Sequence, residues 1–247
     1  MKIDILTLFP KMFEGVFSES IIKRAQEKGL VEIKVHNLRD WAEDKRGTVD
    51  DRPYGGGVGM VLRVDIIDQA LNKLKTENIK HKTILLTPQG KVFNQKKSQE
   101  LTKEKNLILI CGHYEGVDER VREHLVDEEI SIGDYVLTGG EIPTMAVVDS
   151  IIRLIPGVLE KPEATRSESH QSPVTPGLAF GSPRAGSHQS PVLLEYPQYT
   201  RPEEYKDWQV PKVLLSGNHQ KIEEWREKQS LERTKKRRPD LLKSTAP

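Results

Sequence analysis

Polar and apolar residues alternate through 2–8, with isoleucines at positions 3 and 5, and this predicts an opening strand. Met12, Phe13, Val16, Phe17, Ile21, Ile22 and Ala25 then recur at helical spacing within 10–28. Gly29 follows where a left-handed residue commonly ends a helix. Residues 31–38 read as a second strand. The stretch 39–60 holds Gly47, Pro53, the triple glycine 55–57 and Gly59, so a long loop is expected there. Beyond it come a helix at 65–75, a strand at 83–86, a short apolar strand at 107–111, a short helix at 118–125, a strand at 128–132 and a helix at 142–154. From about Tyr199 the chain reads as helical. Ile222, Trp225 and Leu231 among many charges suit an amphipathic helix, with Asn218 placed to cap it. Strands alternating with helices predict an α/β fold with a mostly parallel sheet covered on both faces.

In such sheets ligands bind beyond the carboxyl ends of strands. Three loops fall at those ends: 87–90, 112–116 and 131–141. The third is the richest. Gly133 and the Gly139-Gly140 pair run into Pro143, which suits the first turn of a helix, and into the apolar run 145–155. This pattern predicts a backbone-lined pocket at a helix N-terminus, fit for a flat polar cofactor held by main-chain groups. The alternative is an ordinary strand–turn–helix connection.

Residues 160–191 change character, being rich in Ser, Pro and Gly, and read as a flexible linker. They carry a duplication: Ser-His-Gln-Ser-Pro-Val at 169–174 recurs at 187–192. Two copies of six residues cannot build a solenoid, so the repeat reads as a loop extension. The expected organisation is an α/β domain at 1–159, a linker at 160–198 and a small helical domain at 199–247.

The formal net charge of +1 hides an asymmetry. Residues 211–247 hold ten Lys/Arg against five Asp/Glu, a net of +5, which leaves −4 for the rest. A basic end on a near-neutral body points to an anionic macromolecular partner, a solvated tail being the alternative. No run approaches the 18 apolar residues of a membrane span, and the N-terminus is too short and strand-like for a signal peptide. One cysteine excludes an internal disulfide and a multi-cysteine zinc site. A cytoplasmic protein is expected.

The standard nucleotide, zinc-hydrolase and serine-esterase motifs are absent. Cys111 at a strand end is either a nucleophile or a small packing residue, and packing is favoured. His113 and Tyr114 at a loop tip can stack on a base or serve structure. Glu115, between an aromatic residue and a glycine, needs a partner such as a ligand hydroxyl or a divalent cation. Asp50, Asp51 and Arg52 precede Pro53-Tyr54-Gly55-Gly56-Gly57, a loop suited to a nucleobase or a phosphate. Arg153, in an apolar run, must meet an anion or reach solvent.

Nearly end to end, this ordered set resembles the bacterial tRNA (guanine-N1)-methyltransferases (TrmD) of the SPOUT class. The matching segments are Ile-Leu-Thr-Leu-Phe-Pro at 5–10, Asp-Arg-Pro-Tyr-Gly-Gly-Gly-Val-Gly-Met at 51–60, Leu-Thr-Pro-Gln-Gly at 86–90 and Cys-Gly-His-Tyr-Glu-Gly-Val-Asp-Glu-Arg-Val at 111–121. To these add 131–141, Tyr-Thr-Arg-Pro at 199–202, Leu-Leu-Ser-Gly-Asn-His at 214–219, Lys-Gln-Ser-Leu at 228–231 and Arg-Arg-Pro-Asp-Leu-Leu at 237–242.

The resemblance implies a trefoil knot in the C-terminal half of the α/β domain and a homodimer with sites built from both chains. It implies S-adenosylmethionine bound at Leu86, Pro88, Gln89, Gly112, Tyr114, Glu115, Gly116, Ser131, Ile132, Tyr135, Leu137, Gly139 and Gly140, with Gly133 of the same loop. It also implies methyl transfer to N1 of the guanosine 3′ of the anticodon, position 37, in tRNA. Arg153 would stabilise charge near guanine O6, with a magnesium ion at Glu115. The family's base is an aspartate fifteen residues after that arginine, followed by serine. Here the spacing falls on Glu168, followed by Ser169. The second copy of the repeat has Gly186 at the matching place, so Glu168 is the expected base, with Asp50 and Asp51 in reserve. Contacts to the anticodon stem-loop are expected from Asp50, Arg52, Gly57, Ser169, Arg201, His219, Arg237 and Arg238, with packing of the terminal helices the alternative for the last two. Competing readings are a related knotted methyltransferase acting on another RNA and a non-catalytic RNA-binding protein.

Overall fold

The computed structural model describes residues 1–75, 79–160 and 193–242. In chain order the elements are β1 (Lys2–Thr7), α1 (Glu14–Phe17), α2 (Ser20–Glu27), β2 (Glu32–Asn37), β3 (Asp50–Asp51), β4 (Val61–Leu62), α3 (Val64–Leu74), β5 (Lys82–Val92) and α4 (Gln95–Leu101). There follow β6 (Asn106–Cys111), α5 (Glu119–His124), β7 (Glu128–Ser131), α6 (Glu141–Ile152), β8 (Glu204–Tyr205), β9 (Trp208–Gln209), α7 (Lys212–Leu215) and α8 (His219–Arg237). Five strands form one sheet in the order β2-β1-β6-β5-β7, and every neighbouring pair is parallel.

The apolar run of β6 has a direct cause. Successive strand side chains point to opposite faces. Leu107, Leu109 and Cys111 enter one core layer, with Phe13, Ile22, Leu101 and Val147. Ile108 and Ile110 enter the other, with Ile66, Ile67, Leu71 and Val121. A strand buried on both sides cannot alternate with polar residues.

Within 1–159 the structure differs from the sequence reading in four places. The single helix expected over 10–28 is broken into a 3-10 turn at Pro10–Phe13, α1 and α2. At 100° per residue, Phe17 and Ile22 would stand about 140° apart on one continuous helix; the break lets both face the same layer. The long loop over 39–60 contains a 3-10 turn at Leu38–Trp41 and the strand β3, which pairs antiparallel with β4. Helix α4 escaped notice because only Ser98 and Leu101 are buried on it, too few to leave a period. Strand β5 does not stop at Leu86. It bulges through 87–90 and rejoins β7, so Leu86 and Lys91 both pair with Ile130.

The C-terminal part begins not with a helix but with an extended stretch and the β8–β9 hairpin. Asn218 caps α8 as expected, its side chain accepting from Lys221 N at 3.1 Å. Ile222 is buried, but Leu231 is exposed, and the face of α8 turned inward carries Arg226, Ser230 and Thr234. A small cluster of Tyr199, Val210, Leu214 and Ile222 supports it. The linker segment 161–192, with its duplicated block, Glu168 and Ser169, lies outside the described residues. Residues 193–198 have neither helix nor strand but are pinned: Leu194 N donates to Thr234 Oγ1, and Glu119 N donates to Gln198 O. No helix among the described residues is long and apolar enough to cross a membrane.

Candidate active site

The three loops expected at strand ends converge on one cavity of about 360 Å³, beside the 87–90 bulge of β5 and the carboxyl ends of β6 and β7. Every cofactor position expected from the sequence, from Leu86 to Gly140, lines it. The close approach of backbones explains the glycine pair. Gly140 N donates to Gly112 O at 2.7 Å, and a Cβ on Gly140 would lie 2.8 Å from Cys111 Cα and from Gly112 N. Tyr114 holds the left-handed region at φ 58°, a conformation that concentrates at functional sites. Helix α6 has Gly140 as its N-cap, with Pro143 in the first turn and on the cavity wall. Its free N–H groups and positive dipole end therefore face the cavity side.

Buried polar groups brace this wall. Thr7 Oγ1 donates to Glu141 Oε1 at 2.7 Å, and Phe9 N donates to Thr7 Oγ1 at 2.9 Å. His113 packs between Phe9 and Tyr114, with ring centroids at 4.8 and 4.9 Å. Cys111 is fully buried, 3.1 Å from Thr144 Oγ1, and burial pushes its thiol well above the usual range. It is a packing residue, since a buried thiol so hard to ionise is no nucleophile.

Glu115 is exposed at the cavity, held by its backbone N donating to Met60 O at 3.1 Å. Glu195 stands near it. Loss of water first, and the charge of Glu115 second, raise the Glu195 carboxyl above its ordinary value. Among the described residues, no group of three or more His, Cys, Asp or Glu is arranged to hold a metal ion.

The cavity also takes residues that the sequence reading missed: Glu119, Arg122, Glu129, Glu195, Tyr196, Gln198 and Arg233. The available signal was a spacing. Arg226, Ser230, Arg233 and Arg237 recur at steps of four, three and four, a helix face marked by polar side chains in place of apolar ones.

Other candidates fall elsewhere. Arg153 is at the far end of α6, roughly 18 Å along a twelve-residue helix from the cavity. Arg52 and Arg201 are exposed and close in the fold: Thr200 Oγ1 donates to Arg52 O at 2.8 Å, and Arg201 pairs with Asp51 at 3.3 Å. Asp50 lies beside them on β3. Gly57 and its neighbours meet α8, where Arg226 donates to Gly56 O at 2.5 Å and His219 opens the helix. Arg237 makes two hydrogen bonds to Glu129, and Arg238 makes two to Asp134, so both already hold carboxylates.

With this geometry in hand, the similarity to known proteins is decisive. A family model described as tRNA (Guanine-1)-methyltransferase TrmD matches residues 1–244. The chain belongs to the TrmD family. Similar proteins of that family, each named tRNA (guanine-N(1)-)-methyltransferase, are found in several bacteria. The Dictyoglomus turgidum protein is 53% identical over 246 residues, covering 100% of this chain and 91% of that protein. The Anoxybacillus flavithermus protein is 54% identical over 245 residues, covering 99% and 92%. A Bacillus cereus protein is 54% identical over 243 residues, covering 98% and 92%. Family membership therefore spans both the cavity-bearing sheet and the arginine-bearing α8.

Proposed function

We propose that the chain transfers a methyl group from S-adenosylmethionine to N1 of the guanosine at position 37, just 3′ of the tRNA anticodon. The observation that carries this is the cavity: each position that the resemblance assigns to the cofactor lines one space at the bulge of β5 and the ends of its neighbours β6 and β7. Its glycine-lined walls, too tight for a Cβ at Gly140, fit a cofactor held by main-chain groups. S-adenosylmethionine supplies an electrophilic sulfonium methyl when bound there.

N1 of guanine carries a proton at neutral pH and is a poor nucleophile. Glu168 would take this proton as N1 accepts the methyl group, giving neutral methylguanine, and the bound cofactor would supply that methyl and be left as S-adenosylhomocysteine. A positioned carboxylate contributes roughly 10²–10⁴-fold. Arg153 offsets the charge that develops at O6. Glu115, with Glu195 nearby, would hold a magnesium ion, which would supply positive charge at the site.

Arg153 lies a helix length from its own chain's cavity, which favours a homodimer whose second copy brings Arg153 and Glu168 to the site. Phe9, Met12, Val16 and Tyr114 are exposed apolar residues suited to that interface. In this reading residues 1–159 form the knotted cofactor domain, 160–198 the linker and 199–247 the domain that grips the anticodon stem. Arg52, Arg201 and His219 face the RNA, and the enzyme works in the cytoplasm.

The test is transfer of labelled methyl from S-adenosylmethionine to tRNA transcripts differing only at position 37. Methylation of the G transcript and not of the A transcript is expected, with a loss of about 10²–10⁴-fold in Glu168→Gln. Equal labelling of both transcripts would refute the reading. Mixing Arg153→Ala with Gly140→Ala chains should restore part of the activity if sites are shared between copies.

A further inference from the structure

We infer that Arg233 is a positioning residue for the cofactor: it fixes the side-chain amide of Gln89 in one orientation and so ties cofactor affinity to the seating of α8. The inference deepens the proposed function and rests on its cofactor site.

A glutamine amide can offer either its oxygen or its nitrogen to a ligand, and its surroundings decide which. Gln89 stands in the bulge of β5, and Gly90 beside it is pressed on β7, where a Cβ would lie 2.6 Å from Ile130 N. With the backbone seated there, the amide still has two orientations open to it. Arg233 Nη1 donates to Gln89 Oε1 at 2.6 Å. A guanidinium has no acceptor, so this contact admits the oxygen alone. Glu195 lines the same cavity beside this amide: burial raises its carboxyl, and the amide works the other way. With a cation's donor at its oxygen, a flipped amide would set donor against donor.

Arg233 is itself held. Its second guanidinium nitrogen donates to Glu119 Oε1, and its side chain is only 9% exposed. One helical turn either way, Ser230 and Arg237 lie on the same face of α8, and Arg237 is locked to Glu129. Thr234, next in sequence, accepts from Leu194 N at 2.8 Å. The orientation of Gln89 therefore depends on α8 staying seated. A lysine at 233 has one compact ammonium head and cannot copy the planar fork that spans Gln89 and Glu119.

Titration calorimetry of S-adenosylmethionine into the full-length protein tests this in four forms: wild type, Arg233→Lys, Gln89→Ala and the double variant, with thermal melts in parallel. Arg233→Lys should weaken binding about tenfold in the wild-type background, the range for one charge-assisted hydrogen bond. In the Gln89→Ala background it should cost less than about twofold, because the group it positions is gone. An equal loss in both backgrounds, or no loss in either, overturns the inference. Should the lysine variant melt early, Arg233→Gln takes its place with the same two expectations. Absence of binding by wild type would instead overturn the cofactor reading, and this inference with it.

Discussion

The sheet and the C-terminal helix are held to the same molecule by opposite means. Around β6 the core is dry and apolar: Leu107 to Cys111 are fully buried between two layers of aliphatic side chains. Around α5 and α8 the attachment is built from guanidinium groups. Arg120, 1% exposed, makes hydrogen bonds to both oxygens of Asp118 and to the carbonyls of Thr200, Pro202, Glu203 and Trp208. Arg226, Arg233 and Arg237 reach Gly56, Gln89 and Glu129. Apolar burial is roughly proportional to area and indifferent to direction. Forked donors fix one register and lose their meaning with a small displacement. The sheet supplies stability; the arginine row supplies placement around the cavity.

The largest effect that would sharpen this contrast is expected from Arg120→Met. Removing the cation leaves Asp118 buried without its partner, at a cost of about 3–5 kcal/mol. For a chain of this size that is a fall of about 10 °C in melting temperature. A fall of only one or two degrees would show that the polar attachment is slack. Leu109→Ala in the central strand should cost about 3 kcal/mol by chemical denaturation, and salt should leave that value unchanged. In Gly140→Ala the added methyl collides with backbone, so stability should drop by about 1–3 kcal/mol while cofactor affinity falls at least tenfold. Retained affinity would contradict the backbone-lined pocket.

Smaller effects separate the two modes through solvent. Asp4, buried in β1, is held below its ordinary value by His36 and Lys2, in spite of the opposing effect of burial. A depressed carboxylate contributes stability above its unfolded value of about 3.9 and loses it as pH falls through the folded value. Melting temperature should therefore drop below about pH 4, and less steeply in Asp4→Asn than in wild type. Raising salt from 0.1 to 1 M shortens the screening length from about 10 to 3 Å. Tryptic cleavage within α8 should then quicken while cleavage within the sheet stays slow. Equal acceleration in both would erase the distinction.

How far the sequence was legible follows the same division. Strand β6 was readable because burial on two faces leaves a continuous apolar run, β1 and β2 because apolar residues alternate with polar ones, and the loops at 87–90, 112–116 and 131–141 carried enough glycine to point to the cavity. Helix α8 was readable in extent but not in orientation. Of its apolar residues Ile222 is buried and Trp225 packs against the small C-terminal cluster, but Leu231 is exposed, and Arg226, Ser230 and Thr234 make up the rest of the inner face. Hydrophobic periodicity cannot report an interface made by hydrogen bonds. Arg120 was invisible for a related reason: its importance comes from carbonyls 80 to 88 residues away, which no local pattern records. Arg237 and Arg238 read from sequence either as contacts to RNA or as residues packing the terminal helices, and the fold gives each a carboxylate.

The double pairing of β5 with β7 bears on how a ligand leaves. Residues 87–90 leave the ladder after Leu86 and return to it at Lys91, opposite the same Ile130. The excursion is stitched to one neighbour at both ends, so it can open without unzipping the strand that carries it. In amide exchange, Leu85 and Leu86 should report global unfolding, whereas Gln89 should exchange through a low-energy local opening that a bound cofactor suppresses. Residence time in the cavity would then be set by a four-residue gate and not by the stability of the sheet beneath it.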